Sequence, residues 1–235
     1  MNVLVACEES QRVCMAFRNK GHTAYSCDVI EASGGHPEWH IKQDVIPLVN
    51  GDCSFFTCDG VEHTIDGKWD LIIAHPPCTY LSVAGAARLY KSKGVIDADR
   101  YKKGLEAKDF FMKLLEADCE HICVENPIQL KVFEMPQYTQ QIQPYEYGHP
   151  YSKKTRLWLK GLPELKPTNI ITEGITSWVN GGSKKADGTK RDNLGVKHTA
   201  KDRSKTFEGI ALAMAEQWSE VCNDKSQSKQ ESFCA

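Results

Sequence analysis

A cysteine follows two prolines at the end of a mostly apolar run in this chain. Residues 69–74 form that run, and His75-Pro76-Pro77-Cys78 comes directly after it. Because two prolines restrict the backbone, we expect Cys78 to lie on a stiff loop where a strand ends. A thiol in that position can act as a nucleophile if its pKa is lowered or if a partner activates the electrophile. The alternative interpretation is a buried cysteine that only packs behind a rigid turn.

A glutamate ends a second apolar run, in the segment Val124-Glu125-Asn126-Pro127. A carboxylate in apolar surroundings costs free energy unless it is paired or used. We therefore interpret Glu125 as a group that takes part in chemistry, and a capped structural carboxylate is the alternative.

A cysteine and a glutamate at one edge of a sheet can act together on a pyrimidine. Addition of a thiolate to C6 of cytosine makes C5 nucleophilic enough to attack an electrophilic methyl group. A carboxylic acid near N3 assists by hydrogen bonding to N3, or by protonating it, as charge develops there. A base must then remove the C5 proton, and none of these steps requires a metal.

Strand and helix signals alternate over the first half of the chain. Apolar runs predict strands at 3–6, 23–27, 41–45, 69–74 and 121–125, and helical periodicity predicts helices at 10–20 and 99–117. Asp59-Gly60 between two β-prone runs predicts a hairpin insertion at about 53–67. We therefore predict an α/β fold with a Rossmann-like, doubly wound, mostly parallel sheet.

Residues with functional side chains follow most of these predicted strands. Doubly wound sheets bind ligands outside the carboxyl ends of their strands, so we predict one site at this edge. The residues placed there are Glu8 and Glu9, Asp28, Asp44, Cys78 and Glu125. A turn or helix cap is the alternative for each aspartate.

The second half of the chain is less regular. We predict a catalytic unit over 1–160, a short irregular recognition region over 161–205, a helix over 206–222 and a disordered polar tail over 223–235. Residues 184–205 contain eight Lys or Arg and only three Asp, which favours phosphate binding. The predicted phosphate-binding residues are Lys184, Lys185, Lys190, Arg191, Lys197, Lys201 and Arg203, and Lys205 completes the basic cluster. A solvated loop is the alternative.

Composition limits the classes of protein that remain. The chain has 41% hydrophobic and 26% charged residues and a formal net charge of −2, whereas a protein that holds long stretches of duplex is usually more basic. Ten cysteines without metal or disulfide spacing favour a reduced cytoplasmic setting and no bound metal. No run of eighteen apolar residues is present, so we predict no membrane span.

The order of these features resembles that of the DNA cytosine-C5 methyltransferases. Pro77-Cys78 is similar to the family's Pro-Cys motif, and Glu125-Asn126 is similar to its Glu-Asn motif. Residues 152–158 loosely resemble its Gln-x-Arg-x-Arg motif, with Lys154 and Arg156 in the basic positions. The helix from Phe207 resembles the family's last helix, so the resemblance spans about residues 1–221. Compact chains of this pattern resemble those of bacteriophages and prophages.

The resemblance implies a class I methyltransferase fold, S-adenosylmethionine as cofactor and a flipped cytosine of DNA as substrate. Cys78 would be the nucleophile and Glu125 the acid at N3, with Lys154 and Arg156 beside them. Asp28 would bind the ribose hydroxyls and Asp44 the adenine amino group. The cofactor-binding residues would be Ala6, Cys7, Glu8, Glu9, Ser10, Asp28, Val29, Asp44, Val45, His75 and Pro76.

Two departures from the family pattern leave alternatives open. The first loop, Ala6-Cys7-Glu8-Glu9-Ser10, lacks the family's glycines. The recognition region is short, so we expect short or loose sequence specificity. The same chemistry on single-stranded DNA, RNA or a free cytosine nucleotide is one alternative, and a catalytically silent nucleic-acid-binding relative is another.

Overall fold

A seven-stranded sheet forms the centre of the computed structural model, which describes residues 1–92, 94–178 and 199–233, with side chains for all of them except 200, 201 and 222–233. The strands are β1 (Asn2–Ala6), β2 (Thr23–Asp28), β3 (His40–Lys42), β4 (Cys53–Phe56), β5 (Glu62–Ile65), β6 (Leu71–Ala74), β7 (Tyr90–Ser92), β8 (Val95–Ile96), β9 (Ile122–Pro127), β10 (Gln140–Ile142), β11 (Tyr151–Ser152), β12 (Thr155–Lys160) and β13 (Thr176–Ser177). The helices are α1 (Arg12–Asn19), α2 (Ala86–Leu89), α3 (Ala98–Leu115), α4 (Ala200–Ser204) and α5 (Glu208–Phe233).

The order of strands in the central sheet is β10-β12-β9-β6-β1-β2-β3. β1, β2, β3, β6 and β9 pair with one another in parallel, and β12 runs antiparallel to both β9 and β10. The chain winds outward in one direction from β1 and in the other from β6, which is the doubly wound order. The predicted mostly parallel α/β sheet is therefore confirmed, and its crevice lies beyond the carboxyl ends of β1 and β6.

Both faces of the sheet are covered because successive side chains of a strand point to opposite faces. On one face, Leu4 of β1 shares a buried cluster with Phe111 of α3. On the other face, Val5 shares a cluster with Phe17 of α1 and Trp218 of α5. Each fully buried side chain of this size contributes about 1.5–3 kcal/mol by leaving water. These helices therefore hold the sheet edge, and the loops beyond it, in a fixed place.

The predicted hairpin insertion is present. β4 and β5 pair antiparallel from Cys53–Ile65 to Phe56–Glu62, and Gly60 takes a φ of 84° in the connecting turn. Glycine adopts that conformation without the steric cost that other residues incur.

Among the element boundaries that differ from the sequence-based prediction, three have a clear physical cause. β3 ends at Lys42 rather than at 45, because the chain turns into a 3₁₀ helix at Ile46–Leu48 that contains Pro47. β9 continues through Pro127, because β12 supplies a partner strand as far as Thr155. α5 continues to Phe233, where a disordered tail was expected from 223, because no Gly or Pro after Gly209 ends the helix.

Candidate functional site

A cavity of about 640 Å³ opens at the carboxyl ends of β1, β2 and β6, beside the point where the sheet reverses its winding. This volume lies in the range of small-molecule sites. The loop after β1, the end of β2 and the loop after β6 form its inner wall, and α4 contributes to its rim. The wall includes the predicted site residues Cys7, Glu8, Glu9, Ser10, Asp28, His75 and Cys78, as well as Arg203.

The loop after β1 turns without any glycine. Cys7 and Gln11 both have a φ of 59°, in the left-handed region. This conformation costs a residue with a Cβ roughly 1–2 kcal/mol. The N–H of Glu8 donates to the carbonyl of Cys27 at 3.2 Å and holds the turn against β2. Two strained residues thus stand in the loop where the family resemblance would place glycines.

Glu8 caps the first helix. Its Oε1 accepts from the N–H of Val13 at 2.7 Å, and its Oε2 accepts from the N–H of Cys14 at 3.2 Å. Burial raises the pKa of Glu8, and the charge of His75 and the two N–H groups oppose that rise. The carboxylate therefore borders the cavity while the amino end of α1 compensates its charge.

Gln11 is a structural residue that the sequence-based prediction missed. Its side chain is fully buried, its Nε2 donates to the carbonyl of His36 at 2.8 Å, and its Oε1 accepts from the N–H of the same residue at 3.1 Å. A two-way bond of this kind holds the segment before β3 against the first loop. No periodic signal in the sequence marks a loop glutamine for this role.

The two predicted aspartates have different positions. Asp28 lines the cavity, burial raises its pKa, and its Oδ1 accepts from the N–H of Ile30 at 3.3 Å. Asp44 is exposed, lies outside the cavity wall, and accepts from the N–H of Ile46 at 3.1 Å. The structure therefore brings Asp28 to the site, and it leaves Asp44 as a turn cap because β3 ends early.

Four further predicted cofactor residues do not present side chains to the cavity wall. Ala6 is fully buried and its carbonyl accepts from the N–H of His75 at 2.9 Å. Val45 belongs to the hydrophobic core. Val29 is 68% exposed beside the wall residue Asp28. Pro76 is buried and its carbonyl faces β9.

The loop after β6 holds Cys78 through its backbone. The carbonyl of Cys78 accepts from the N–H groups of Leu81 at 3.2 Å and Ser82 at 2.9 Å. Asn126 donates from Nδ2 to the carbonyl of Pro76 at 3.1 Å. The loop is therefore fixed on both sides of the cysteine.

His75 and Glu125 form a buried pair. Nδ1 of His75 lies 3.0 Å from Oε2 of Glu125, and the two side chains are only 10% and 12% exposed. Burial lowers the pKa of His75, but the hydrogen bond and charge of Glu125, with the charge of Glu8, outweigh it and raise the pKa. For Glu125, burial raises the pKa, but the hydrogen bond from His75 and the charge of Lys153 bring it below its ordinary value. The raised pKa of His75 and the lowered pKa of Glu125 both favour an imidazolium that donates a hydrogen bond to a carboxylate.

Cys78 lines the same cavity as His75. Burial raises its pKa, and the charge of Glu125 raises it further, while the charge of Lys153 opposes both. The thiol form therefore dominates at neutral pH in the protein alone. A cationic group entering the cavity would lower the pKa and favour the thiolate.

The lysine whose charge acts on this group of side chains is Lys153, the neighbour of the predicted Lys154. Lys153 donates from Nζ to the carbonyl of Arg203 at 3.0 Å, and its charge acts on His75, Glu125 and Cys78. Lys154 is exposed. Periodicity cannot distinguish two adjacent lysines in a loop, so only the packing of that loop selects Lys153.

Arg156 lies next to Glu125 in the sheet but points to other partners. It is paired with Asn126 across β9 and β12, donates from Nη1 to Gln129 at 3.2 Å, and lies over the ring of Tyr138 at 4.3 Å. The structure therefore places Arg156 behind the Glu-Asn segment.

Basic side chains border the mouth of the cavity. Arg88 and Arg100 contribute from α2 and α3, and Arg203 and Lys205 contribute from α4 and the residue after it. The predicted phosphate-binding residues Lys184, Lys185, Lys190, Arg191 and Lys197 lie outside the described residues, as does the side chain of Lys201. Of that predicted set, Arg203 is the member whose side chain is described, and it lies at the cavity.

This arrangement can perform nucleophilic and acid–base chemistry on a bound molecule: the cavity wall offers the thiol of Cys78 and the imidazole of His75, and Glu125, which is not itself a wall residue, is hydrogen-bonded to that imidazole. Within the described ranges, no group of three or more His, Cys, Asp or Glu side chains is placed to hold a metal ion. Nor does any helix in those ranges have the length and apolar content that crossing a membrane requires.

Comparisons with known proteins add little to this geometry. No family model matches the chain, and no curated protein matches it. Among solved structures, the chain is similar to a candidate DNA modification methyltransferase encoded within an E. coli prophage, with 15% identity and a TM-score of 0.41. That match covers 73% of this chain and 52% of the other, so the chain spans about half the length of that protein. A similarity of this degree carries no argument, and a functional assignment therefore rests on the residues of the site.

Proposed function

We propose that this protein transfers a methyl group from S-adenosylmethionine to C5 of cytosine in DNA. The observation that carries the proposal is that Cys78 and His75 line one cavity beyond the switch point of a doubly wound sheet, with Glu125 hydrogen-bonded to His75 and its charge acting on Cys78. A thiol and a carboxylate in that relationship are what addition to C6 and assistance at N3 require.

The fold supports the same proposal. The five parallel strands are wound as in nucleotide-binding sheets, and β12 runs in reverse between β9 and β10. The class I methyltransferase fold implied by the sequence resemblance is compatible with this order.

The residues at the cavity fit the cofactor. S-adenosylmethionine supplies an electrophilic methyl group on a sulfonium cation. Asp28 offers a carboxylate for ribose hydroxyls, and Ile30 offers an apolar side chain beside it. The acidic wall at Glu8 and Asp28 favours a cation electrostatically.

Each catalytic residue then has a distinct task. The Cys78 sulfur bonds to C6 of the base, and Glu125 interacts with N3 while charge develops there. After methyl transfer, the C5 proton passes to solvent water, and β-elimination breaks the S–C6 bond and leaves a thiolate, which takes a proton from solvent to return the free thiol. Arg88, Arg100, Arg203 and Lys205 at the cavity mouth supply positive charge for the phosphates that flank the flipped nucleotide.

The test is methyl transfer from labelled S-adenosylmethionine, with product nucleosides identified by mass spectrometry. Duplex DNA, single-stranded DNA, RNA and dCMP are compared as substrates. We expect 5-methyldeoxycytidine from DNA with the wild-type protein and none with Cys78→Ser. Cys58→Ser, which alters an exposed cysteine on the hairpin turn, is the matched control and should retain the activity. Methylation at N4, or wild-type activity in Cys78→Ser, would refute the proposal.

A second candidate function is nucleic-acid binding without methyl transfer. The raised pKa of Cys78 favours it, because a thiol is a weak nucleophile. Calorimetry with S-adenosylmethionine separates the two functions. Binding of the cofactor supports the enzyme, and its absence at millimolar concentration supports the binding protein.

A further inference from the structure

The two ring nitrogens of His75 have different surroundings. Nδ1 is 3.0 Å from Oε2 of Glu125. Nε2 is buried and has no hydrogen-bond partner among the described residues, although His75 lines the cavity. A buried polar atom without a partner is rare in proteins and calls for an explanation.

The carboxyl group of Glu125 is divided in the same way. Oε2 is engaged by His75, and for Oε1 no hydrogen-bond partner exists within the part of the chain that the structure describes. The side chain is 12% exposed. One oxygen is therefore held by His75, which is a wall residue of the cavity, and the other is not engaged by the described residues; Glu125 itself is not among the wall residues.

We propose that His75 is a positioning residue that stores the proton which Glu125 delivers to N3 of the base. This inference rests on the proposed function, because it names the source of a proton that the same reaction needs. A carboxylate held as an ion cannot protonate N3 by itself. The imidazolium next to it supplies the missing proton.

In this proposal the proton passes from His75 to Glu125 and then to N3 of the base. The N–H bond at Nδ1 of His75 breaks and an O–H bond forms at Oε2 of Glu125, which leaves a neutral imidazole and a carboxylic acid. The last torsion of glutamate is roughly two-fold, so half a turn brings the protonated oxygen to the base. The N3 lone pair takes the proton and leaves a carboxylate. Product release returns the proton from N3 along the same path, and no proton is consumed.

Charged groups from several elements face the imidazole. Glu125 on β9 and Glu8 after β1 favour the imidazolium, whereas Lys153 before β12 opposes it. Cys78 lies on the same loop as His75, and burial raises the pKa of its thiol. Between the two apparent pKa values of the pair, His75 and Glu125 together hold one proton.

The test is the pH dependence of single-turnover methyl transfer in His75→Gln. A glutamine amide can still donate to Glu125, but it carries no titrating proton. In the wild type, activity falls at high pH when the pair loses its proton from His75. In His75→Gln only Glu125's own proton remains, so we expect this fall to move to lower pH and the rate at pH 8 to drop at least about tenfold.

His121→Gln is the matched control. His121 is also buried, lies at the opposite end of β9, and is 3.1 Å from the backbone carbonyl of Asp70 through Nδ1. We expect this variant to retain the wild-type pH limits. If the methyl-transfer rate of His75→Gln falls at the same high pH as that of the wild type, the proposal that His75 stores the proton is wrong.

A second measurement does not depend on catalysis. Nitrogen NMR of the histidine side chains should show both nitrogens of His75 protonated at pH 7, with titration at lower pH in Glu125→Gln. A neutral His75 at pH 7 in the folded wild-type protein contradicts the inference even if methyl transfer is observed. Imidazolium signals from a wild-type protein without methyl transfer would instead refute the proposed function and, with it, the role of the proton.

Discussion

The side-chain amide of Asn126 donates to the carbonyl oxygen of Pro76 at 3.1 Å and ties the end of β9 to the loop that presents Cys78. Its neighbour Glu125 makes a second link to the same loop through His75. Two consecutive residues of one strand thus fix the loop of Cys78 relative to β9. The first of these links takes no part in the chemistry itself.

Asn126→Ala should therefore reduce the methyl-transfer activity more than its loss of stability alone explains. It removes the donor to a buried carbonyl, which costs about 1–3 kcal/mol of unfolding free energy. Looser placement of Cys78 should lower the methyl-transfer rate by about ten- to a hundredfold. Denaturant unfolding and single-turnover rates measure the two effects.

Asn50→Ala is the control for this variant. Asn50 also uses its side chain to hold a backbone group, accepting from the N–H of Asp118 at 3.0 Å, but it lies far from the cavity. We expect its methyl-transfer rate to be unchanged. If folded Asn126→Ala is equally active, the bond to Pro76 does not position the nucleophile.

Gly209 near the start of α5 should not tolerate a side chain. Alanine usually stabilises a helix by about 1 kcal/mol relative to glycine. Here an added Cβ would lie 1.9 Å from the carbonyl oxygen of Tyr147, so the helix must shift. We expect Gly209→Ala to lose about 1–3 kcal/mol in thermal or denaturant unfolding. Leu212→Ala, at a half-exposed site of the same helix, is the control and should change the unfolding free energy by only about 0.5 kcal/mol. If Gly209→Ala is as stable as the wild type or more stable, α5 is not packed closely against Tyr147.

The pKa of Glu8 predicts how stability depends on pH. Burial raises this pKa in the folded protein, so the contribution of Glu8 is greatest at low pH and is lost as the pH rises through the raised value. Glutamine does not titrate, so the unfolding free energy of Glu8→Gln should rise relative to wild type as the pH increases above about 4.5.

Glu31→Gln is a control whose unfolding free energy, relative to wild type, should change with pH in the opposite direction. The hydrogen bond and charge of Lys42 lower the pKa of Glu31, so its contribution is present at higher pH and is lost on acidification. The stability of Glu31→Gln relative to wild type should therefore fall slightly as the pH rises. The same trend in both variants would show that burial does not control Glu8.

The basic mouth of the cavity should contribute to DNA binding. Arg88→Ala combined with Lys205→Ala removes two of the cations that line the cavity. If both contact phosphates, the slope of log Kd against log salt should flatten by about two. Lys113→Ala, on the exposed face of α3, is the control and should leave the slope unchanged. An unaltered slope in the double variant would show that Arg88 and Lys205 do not contact phosphates.

Local signals in the sequence predicted much of the fold. Asp59-Gly60 marked the hairpin, because few other residues suit that turn, and apolar runs marked the parallel strands. The predicted end of the strand at 125 was wrong by two residues, because β12 continues beside β9 as far as the pair of Thr155 with Pro127.

The site was only partly predictable. Residue types and their order pointed to Cys78 and Glu125 without the structure, because a thiol after two prolines and a carboxylate after an apolar run are chemically unusual. The pairing of His75 with Glu125 across fifty positions has no local signal. The same is true of Gln11, which holds the segment before β3.

The sequence by itself determined the parallel sheet and the kinds of groups that follow its strands, because periodicity and proline placement act over a few neighbouring residues. The tertiary structure decided which of those groups meet. It turned Glu8 toward α1, left Asp44 outside the cavity, and selected Lys153 over Lys154. Hydrogen bonds and charges between strands that are distant in sequence control those choices, and they exist only when the sheet has formed.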